Sequence, residues 1–179
     1  MRLLDYNKIP MLIIAAITLC FWASSRYQPR LVALSATPDV SRESIETAIA
    51  AYQIKKPLTC KIDTIDHTRS DIRGVTERTA WWQPASITLT PAAFVSWGVL
   101  GSTLAHEIEV HCNQAFAVIH ILNLISPELG TALAEISAYQ HEINHQQRFG
   151  LSEREVEDVK LSQDPYLSKA PRWLVRIFG

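Results

Sequence analysis

The chain has 179 residues, 17 Lys and Arg against 18 Asp and Glu, a formal net charge of -1, and 47% hydrophobic residues. That balance gives no support to a nucleic-acid partner, and neither a basic cluster nor a glycine-rich phosphate motif is present. There is no internal repeat or low-complexity tract, and residues 41–179 are long enough to build one domain around a real core.

The first element in chain order is an apolar run, Met11 to Ala23, preceded by Arg2 and Lys8. It is shorter than the ~20 residues of an ordinary membrane span. It suits the hydrophobic region of an export signal. Residues 1–8 form a flank and 9–25 the transmembrane or signal-anchor segment. Ala23-Ser24-Ser25 offers a small-residue cleavage site, although the bulky Phe21 and Trp22 precede it, and Leu19-Cys20 matches a lipobox poorly. Arg26 and Arg30 follow the run, so charge bias does not orient it. The favoured reading is a single-pass inner-membrane protein with its C-terminal domain in the periplasm, secreted if the segment is cleaved. A buried core helix is the alternative.

Residues 26–40, with Pro29 and Pro38, read as a linker. Ser41 to Tyr52 is expected to be a helix with Ile45, Ala48, Ile49 and Tyr52 on one face. Leu58–Ile65 and Thr79–Trp82 are expected strands, separated by the polar stretch His67–Arg78. Ser86–Thr90 alternates like a strand and leads through Thr90-Pro91 into a capped helix. Gly98 and Gly101 are expected to divide that segment into a short helix and a longer one, whose core positions include Leu104, Ile108, Phe116, Ile119 and Leu122.

The longer helix carries Ala105-His106-Glu107-Ile108-Glu109-Val110-His111-Cys112-Asn113-Gln114. Two histidines four apart share a helix face and can bind one metal, with the intervening Glu as general base. Here they are five apart, about 140° around a regular helix. A single-residue π-bulge near Ile108–Val110 would return both to one face. Glu109 is then either an orienting partner for a ligating histidine or a solvated side chain.

A second helix is expected from Ser126-Pro127, as N-cap and first helical position, to a stop at Gly150. Glu135, Tyr139 and Glu142 fall at i, i+4 and i+7 along one stripe. A short connection around Leu124–Pro127 makes the helices antiparallel neighbours, so that Glu135 faces His106 and His111 and leaves a fourth position open. His120, His141 and His145 are substitute ligands. Ser152-x-x-Glu155 is a capping box opening a further helix through Leu161. The end, Pro171–Gly179, either folds back on the core or touches a membrane surface.

The run His106-Glu107-x-x-x-His111 resembles the zincin metallopeptidases, with one residue inserted in their HExxH motif. A dipeptidyl-peptidase family with an HExxxH motif is a precedent. Glu135-Ile136-Ser137-Ala138-Tyr139 resembles the E-x-x-A-Y element of many bacterial zincin-like peptidases, toxin-associated ones included. The resemblance covers about residues 86–150. It implies one zinc ion on His106, His111 and Glu135, with Glu107 as general base and Tyr139 lining the site. It also implies a strand beside the motif helix that holds extended substrate; at most one of the neighbouring Trp81 and Trp82 could line such a cleft.

Cys60 and Cys112 are the only cysteines beyond the apolar run and could bridge in an oxidising compartment. The expected architecture is α+β: a small strand layer packed on several helices, with an antiparallel metal-bearing helix pair behind the N-terminal membrane segment. The expected function is a membrane-anchored zinc-dependent peptidase or amidohydrolase acting outside the cytoplasm, with peptidoglycan peptide cross-links as a candidate substrate. The alternatives are a non-enzymatic membrane-anchored accessory protein with a degenerate or structural metal site, and a secreted zincin-type toxin.

Overall fold

The computed structural model describes residues 37–80 and 83–178. The flank, the apolar segment, most of the linker and Trp81 and Trp82 lie outside the described residues. Within them the fold is α+β, with seven α-helices and one three-stranded sheet. No single described helix is long and apolar enough to cross a membrane.

Helix α1 (Arg42–Ala51) starts at Ser41, whose hydroxyl accepts the Ser44 N–H, and buries Ile45 and Ala48. Strand β1 (Cys60–Ile65) pairs in parallel with β3 (Ala85–Leu89), and β2 (Gly74–Glu77) pairs antiparallel to the other side of β3. The centre of the sheet is therefore β3, whose alternate residues Ala85, Ile87 and Leu89 are fully buried. The position of β2 corrects the expectation that His67–Arg78 only separates strands. Thr79 and Ala80 lie in a bend. A four-residue edge strand of intermediate burial has little hydrophobic alternation, and its pairing with β3 defines it.

After a 3-10 turn at Pro91–Phe94, helix α2 (Trp97–Ala105) begins at Ser96. Gly98 and Gly101 lie inside α2 rather than dividing it, because both sit where neighbours come too close for a Cβ. At Gly98 a Cβ would lie 2.8 Å from the Phe149 carbonyl, and at Gly101 it would overlap the Tyr52 ring. The chain continues through a wide turn (His106–Val110) and a 3-10 turn (His111–Asn113). It then bends by 81° into α3 (Phe116–Ile125). The expected single helix through Leu122 is thus two helices. Phe116, Ile119 and Leu122 are only partly buried, and α3 leaves Val118, Ile121, Leu124 and Ile125 exposed.

Helix α4 (Leu129–Asn144) follows α3 after a short connection and packs on it and on the wide turn. It starts two residues beyond the expected Pro127. Ser126 is not its cap; instead the Asn123 side chain of α3 accepts the Gly130 and Thr131 N–H groups at 2.7 and 3.2 Å. Gly130 admits the Ile119 carbonyl where any Cβ would collide. Helix α5 (Gln146–Phe149) ends at Gly150 in the left-handed conformation, φ 65°. Helix α6 (Glu153–Leu167) opens with the Ser152/Glu155 capping box and runs past Leu161. Leu174 and Val175 of α7 (Arg172–Phe178) fold back on a cluster of Leu129, Leu133, Ile136 and Ala170, while Trp173 stays exposed.

A disulfide joins Cys60 at the start of β1 to Cys112, directly after His111, with Cα atoms 5.7 Å apart. It closes a long loop (sequence separation 52) and so restricts the unfolded chain. Replacing both cysteines by serine is expected to lower stability by about 2–4 kcal/mol. Urea unfolding of the double variant checks this; an unchanged midpoint would show that the bridge does not carry the β1–turn contact.

Candidate metal centre

The centre begins with the backbone between His106 and His111. Residues His106–Val110 form a π-turn, in which the His111 N–H donates to the His106 carbonyl five residues back as well as to that of Glu107. The turn absorbs the extra residue and brings the two imidazole Nε2 atoms to 3.1 Å. Such a turn is rare in a helix interior and needs outside support. Asn113 supplies some by donating its side-chain N–H to the Glu109 and Ile108 carbonyls. Glu109 supplies more: its carboxylate accepts from Arg148 at 2.7 and 2.9 Å, from His141 Nε2 at 3.1 Å and from the Lys55 N–H at 3.3 Å. Arg148 in turn donates to the Tyr52 carbonyl. Glu109 therefore does not orient His106 and is not free in solvent; it anchors the turn to α1 and α5.

Glu135 comes from α4 to the same point, with carboxylate oxygens 3.5 Å from His106 Nε2 and 3.3 Å from His111 Nε2. One ligand atom from each of His106, His111 and Glu135 lies within 4.8 Å of the others, so this buried group could hold a metal ion. His120 is exposed, His141 pairs with Glu109, and His145 Nδ1 meets the His141 carbonyl, so none of the three joins the group.

The outer nitrogens of both imidazoles are engaged. His106 Nδ1 donates to Glu142 Oε1 at 2.8 Å, and His111 Nδ1 donates to Gln114 Oε1 at 2.8 Å. The Gln114 amide is itself fixed by donating to the Ala134 carbonyl. These contacts favour the tautomer whose Nε2 lone pair faces Glu135. Sequence reasoning placed Glu142 on the stripe of Glu135 without assigning this role, and Gln114 was visible only as a motif flank.

Glu107 is 3% exposed and its Oε2 accepts the Thr76 hydroxyl at 2.6 Å. Gly74 lets β2 approach: a Cβ there would lie 2.9 Å from Glu107 Oε1. Thr76 had no signal in the sequence because its strand had none. Tyr139 packs its ring edge-on to His106, with centroids 4.8 Å apart, and stacks on Tyr166. His106, Glu107, Glu135 and Tyr139 line one cavity of about 280 Å³.

Burial opposes a charge on His106, but hydrogen bonds to Glu135 and Glu142 outweigh it and push its pKa up to about 10. Burial likewise opposes the Glu135 carboxylate, yet the bonds from His106 and His111 hold it down to about 2. Without a metal, a proton therefore occupies the place of a cation between these groups. Glu109 is also held down to about 2, because the His141 and Arg148 bonds outweigh its burial. Burial, and then the Glu135 charge, drive the Tyr139 phenol upward, so it remains a hydrogen-bond donor.

Compared with protein-family models, curated proteins and solved structures, the chain matches none.

Two outcomes follow from this geometry. The stabilisation from His106 is fully present below its unfolded value of 6.5 and drains as pH rises towards about 10; that from Glu135 is present above 4.5 and is lost as pH falls towards about 2. In metal-free protein the His106 ring protons should therefore show no titration between pH 5 and 8 by NMR, and a midpoint near 6.5 would contradict the network. Glu109→Gln, which leaves Arg148 half-buried with a neutral acceptor, should lower stability by about 1.5–3 kcal/mol. Its denaturation curve checks this, and a wild-type midpoint would mean the turn needs no anchor.

Proposed function

We propose that this protein is a zinc-dependent peptidase or amidohydrolase, membrane-anchored and acting outside the cytoplasm. The observation that carries the reading is the convergence of His106, His111 and Glu135, with His106, Glu135 and Glu107 lining one cavity. Two nitrogens and one carboxylate suit zinc with an open fourth position. The two Nε2 atoms lie 3.1 Å apart, and the two Glu135 oxygens lie one 3.3 Å from His111 Nε2 and the other 3.5 Å from His106 Nε2, so the three side chains meet at one point. The likeness of the two motifs to zincin-like peptidases points the same way.

Bound there, zinc supplies Lewis acidity, polarising an amide carbonyl and easing ionisation of a water nucleophile. The chain's own residues do the rest. Glu107, aimed by Thr76, accepts the proton of the attacking water and returns it to the departing amine. Tyr139, kept protonated by its burial, is placed on the cavity wall as a donor to the developing oxyanion. Glu142 and Gln114 hold the imidazoles so that no rotamer freedom is lost at the moment of reaction.

The compartment is inferred from the apolar N-terminal run and supported by the Cys60–Cys112 bridge, since such bonds persist in oxidising surroundings. Peptidoglycan peptide cross-links are the candidate substrate for a hydrolase in that position.

Purified protein should bind one zinc per chain and lose it on His111→Ala. Glu107→Gln should keep the metal and lose roughly 10²–10⁴-fold in turnover. A zinc-loaded Glu107→Gln protein with undiminished activity would remove the mechanism, and a stably folded chain that takes up no metal would remove the enzyme. Release of muropeptide fragments from isolated peptidoglycan tests the substrate; cleavage of proteins alone would reject it.

A further inference from the structure

The cavity beside the three donors is lined on its acidic side by Asp71, Glu107, Glu135 and Glu142, each with at least one partner, while Glu142 Oε2 is buried without one. Glu135 faces the two histidines, Glu142 accepts from His106, and Glu107 accepts from Thr76. Asp71, in the loop before β2, pairs with Arg69. Arg73, which lines the same cavity from the residue preceding β2, differs. It is half-buried, and among the described residues its guanidinium makes no ion pair or side-chain hydrogen bond.

A second observation is independent of that charge. Thr103, 4% exposed, also lines the cavity, and its hydroxyl has no hydrogen-bond partner. Ser162 and Tyr166 of α6 bring further hydroxyls to the wall, that of Ser162 already donating to the Asp158 carbonyl. Burial holds the Tyr166 phenol in its protonated form. The groups without a partner around this space are thus the Arg73 guanidinium, the Thr103 hydroxyl and one acceptor, Glu142 Oε2; the cation and the hydroxyl together suit an anionic oxygen pair. A guanidinium meets a carboxylate through two parallel N–H bonds, a match that no neutral amide reproduces. The volume, about 280 Å³, is just below the range for drug-sized ligands and suits a single small residue.

We infer that this cavity receives the substrate's terminal carboxylate on Arg73, so that the bond cleaved is the amide next to a free C-terminus. This rests on the hydrolase reading above and narrows it to carboxypeptidase-type trimming of short peptides that end in a small residue. In that reaction the amide C–N bond breaks and the water oxygen joins the carbonyl carbon. The water's proton passes through Glu107 to the leaving amine, and one amino acid departs.

The test compares acetyl-alanyl-alanine with its C-terminal carboxamide, each in the L,L and D,D forms. Binding to zinc-loaded Glu107→Gln protein is read by calorimetry, without turnover; kcat/KM is read on the wild-type chain. The acid of at least one form should bind about tenfold or more tightly than its amide, the usual margin for a hydrogen-bonded charge. The kcat/KM ratio should follow it. Arg73→Gln in the same background should erase the difference and Arg73→Lys should retain part of it, with zinc content and circular dichroism unchanged in both. Equal affinity for acid and amide, or a preference that survives Arg73→Gln in a folded protein, overturns the proposal. The binding arm reads Arg73 even if neither peptide is hydrolysed, which would count against the hydrolase reading alone.

Discussion

One backbone constraint governs this molecule: the two imidazoles of a five-residue spacing must face the same point. In a straight helix they would diverge by about 140°. The π-turn removes that divergence, at the expense of regular 13-atom hydrogen bonding along the turn. Its surroundings are consequently dense with restraints. The Cys60–Cys112 bridge pins the residue after His111 to β1, Asn113 takes up the Glu109 and Ile108 carbonyls, and the Glu109–Arg148 pair ties the middle of the turn to α1 and α5. The bridge and the Glu109–Arg148 pair are tertiary and Asn113 adds a local restraint, so the turn is held from several sides.

Around that turn the polar groups form two layers with separate tasks. The inner layer, His106, His111 and Glu135, brings lone pairs together in a buried place where neutral and anionic acceptors repel one another unless a cation or proton intervenes. The outer layer, Glu142 and Gln114, keeps that repulsion from being relieved by ring rotation. Raised basicity at His106 and lowered basicity at Glu135 are two expressions of one field: the carboxylates demand positive charge and the buried site offers little solvent to supply it. An ion would satisfy the demand without the proton.

The sheet matters to the site through its edge. Strand β2 is short and only half-buried, yet it delivers Thr76 to Glu107 and, through Gly74, comes close enough to confine that carboxylate. The same strand begins one residue after Arg73, so the Thr76 hydroxyl that aims Glu107 and the cation of the cavity stand on one short stretch of backbone. Position on paired backbone restricts their relative movement more than a loop would.

The residues that meet at the centre were legible in the sequence. His106, Glu107, His111 and Glu135 are ligand and base types at helical offsets, and only a wide turn could reconcile the five-residue spacing with one metal. The capping box at Ser152 was equally local, since it is closed by side chains within three residues. What tertiary structure decided was everything that depends on distant partners. The break between α2 and α3 could not be read from a run of apolar residues, because an 81° bend leaves the hydrophobic spacing on either side intact. Gly98 and Gly101 signalled a helix break by propensity, but they serve close packing against Phe149 and Tyr52, as Gly130 does against Ile119. Strand β2 lacked alternation because only one of its edges is paired, and with it Thr76 and Arg73 had no assigned place. Glu109 was ambiguous for the same reason: its partners, Lys55 and Arg148, lie 54 and 39 residues away, and only the fold brings them together.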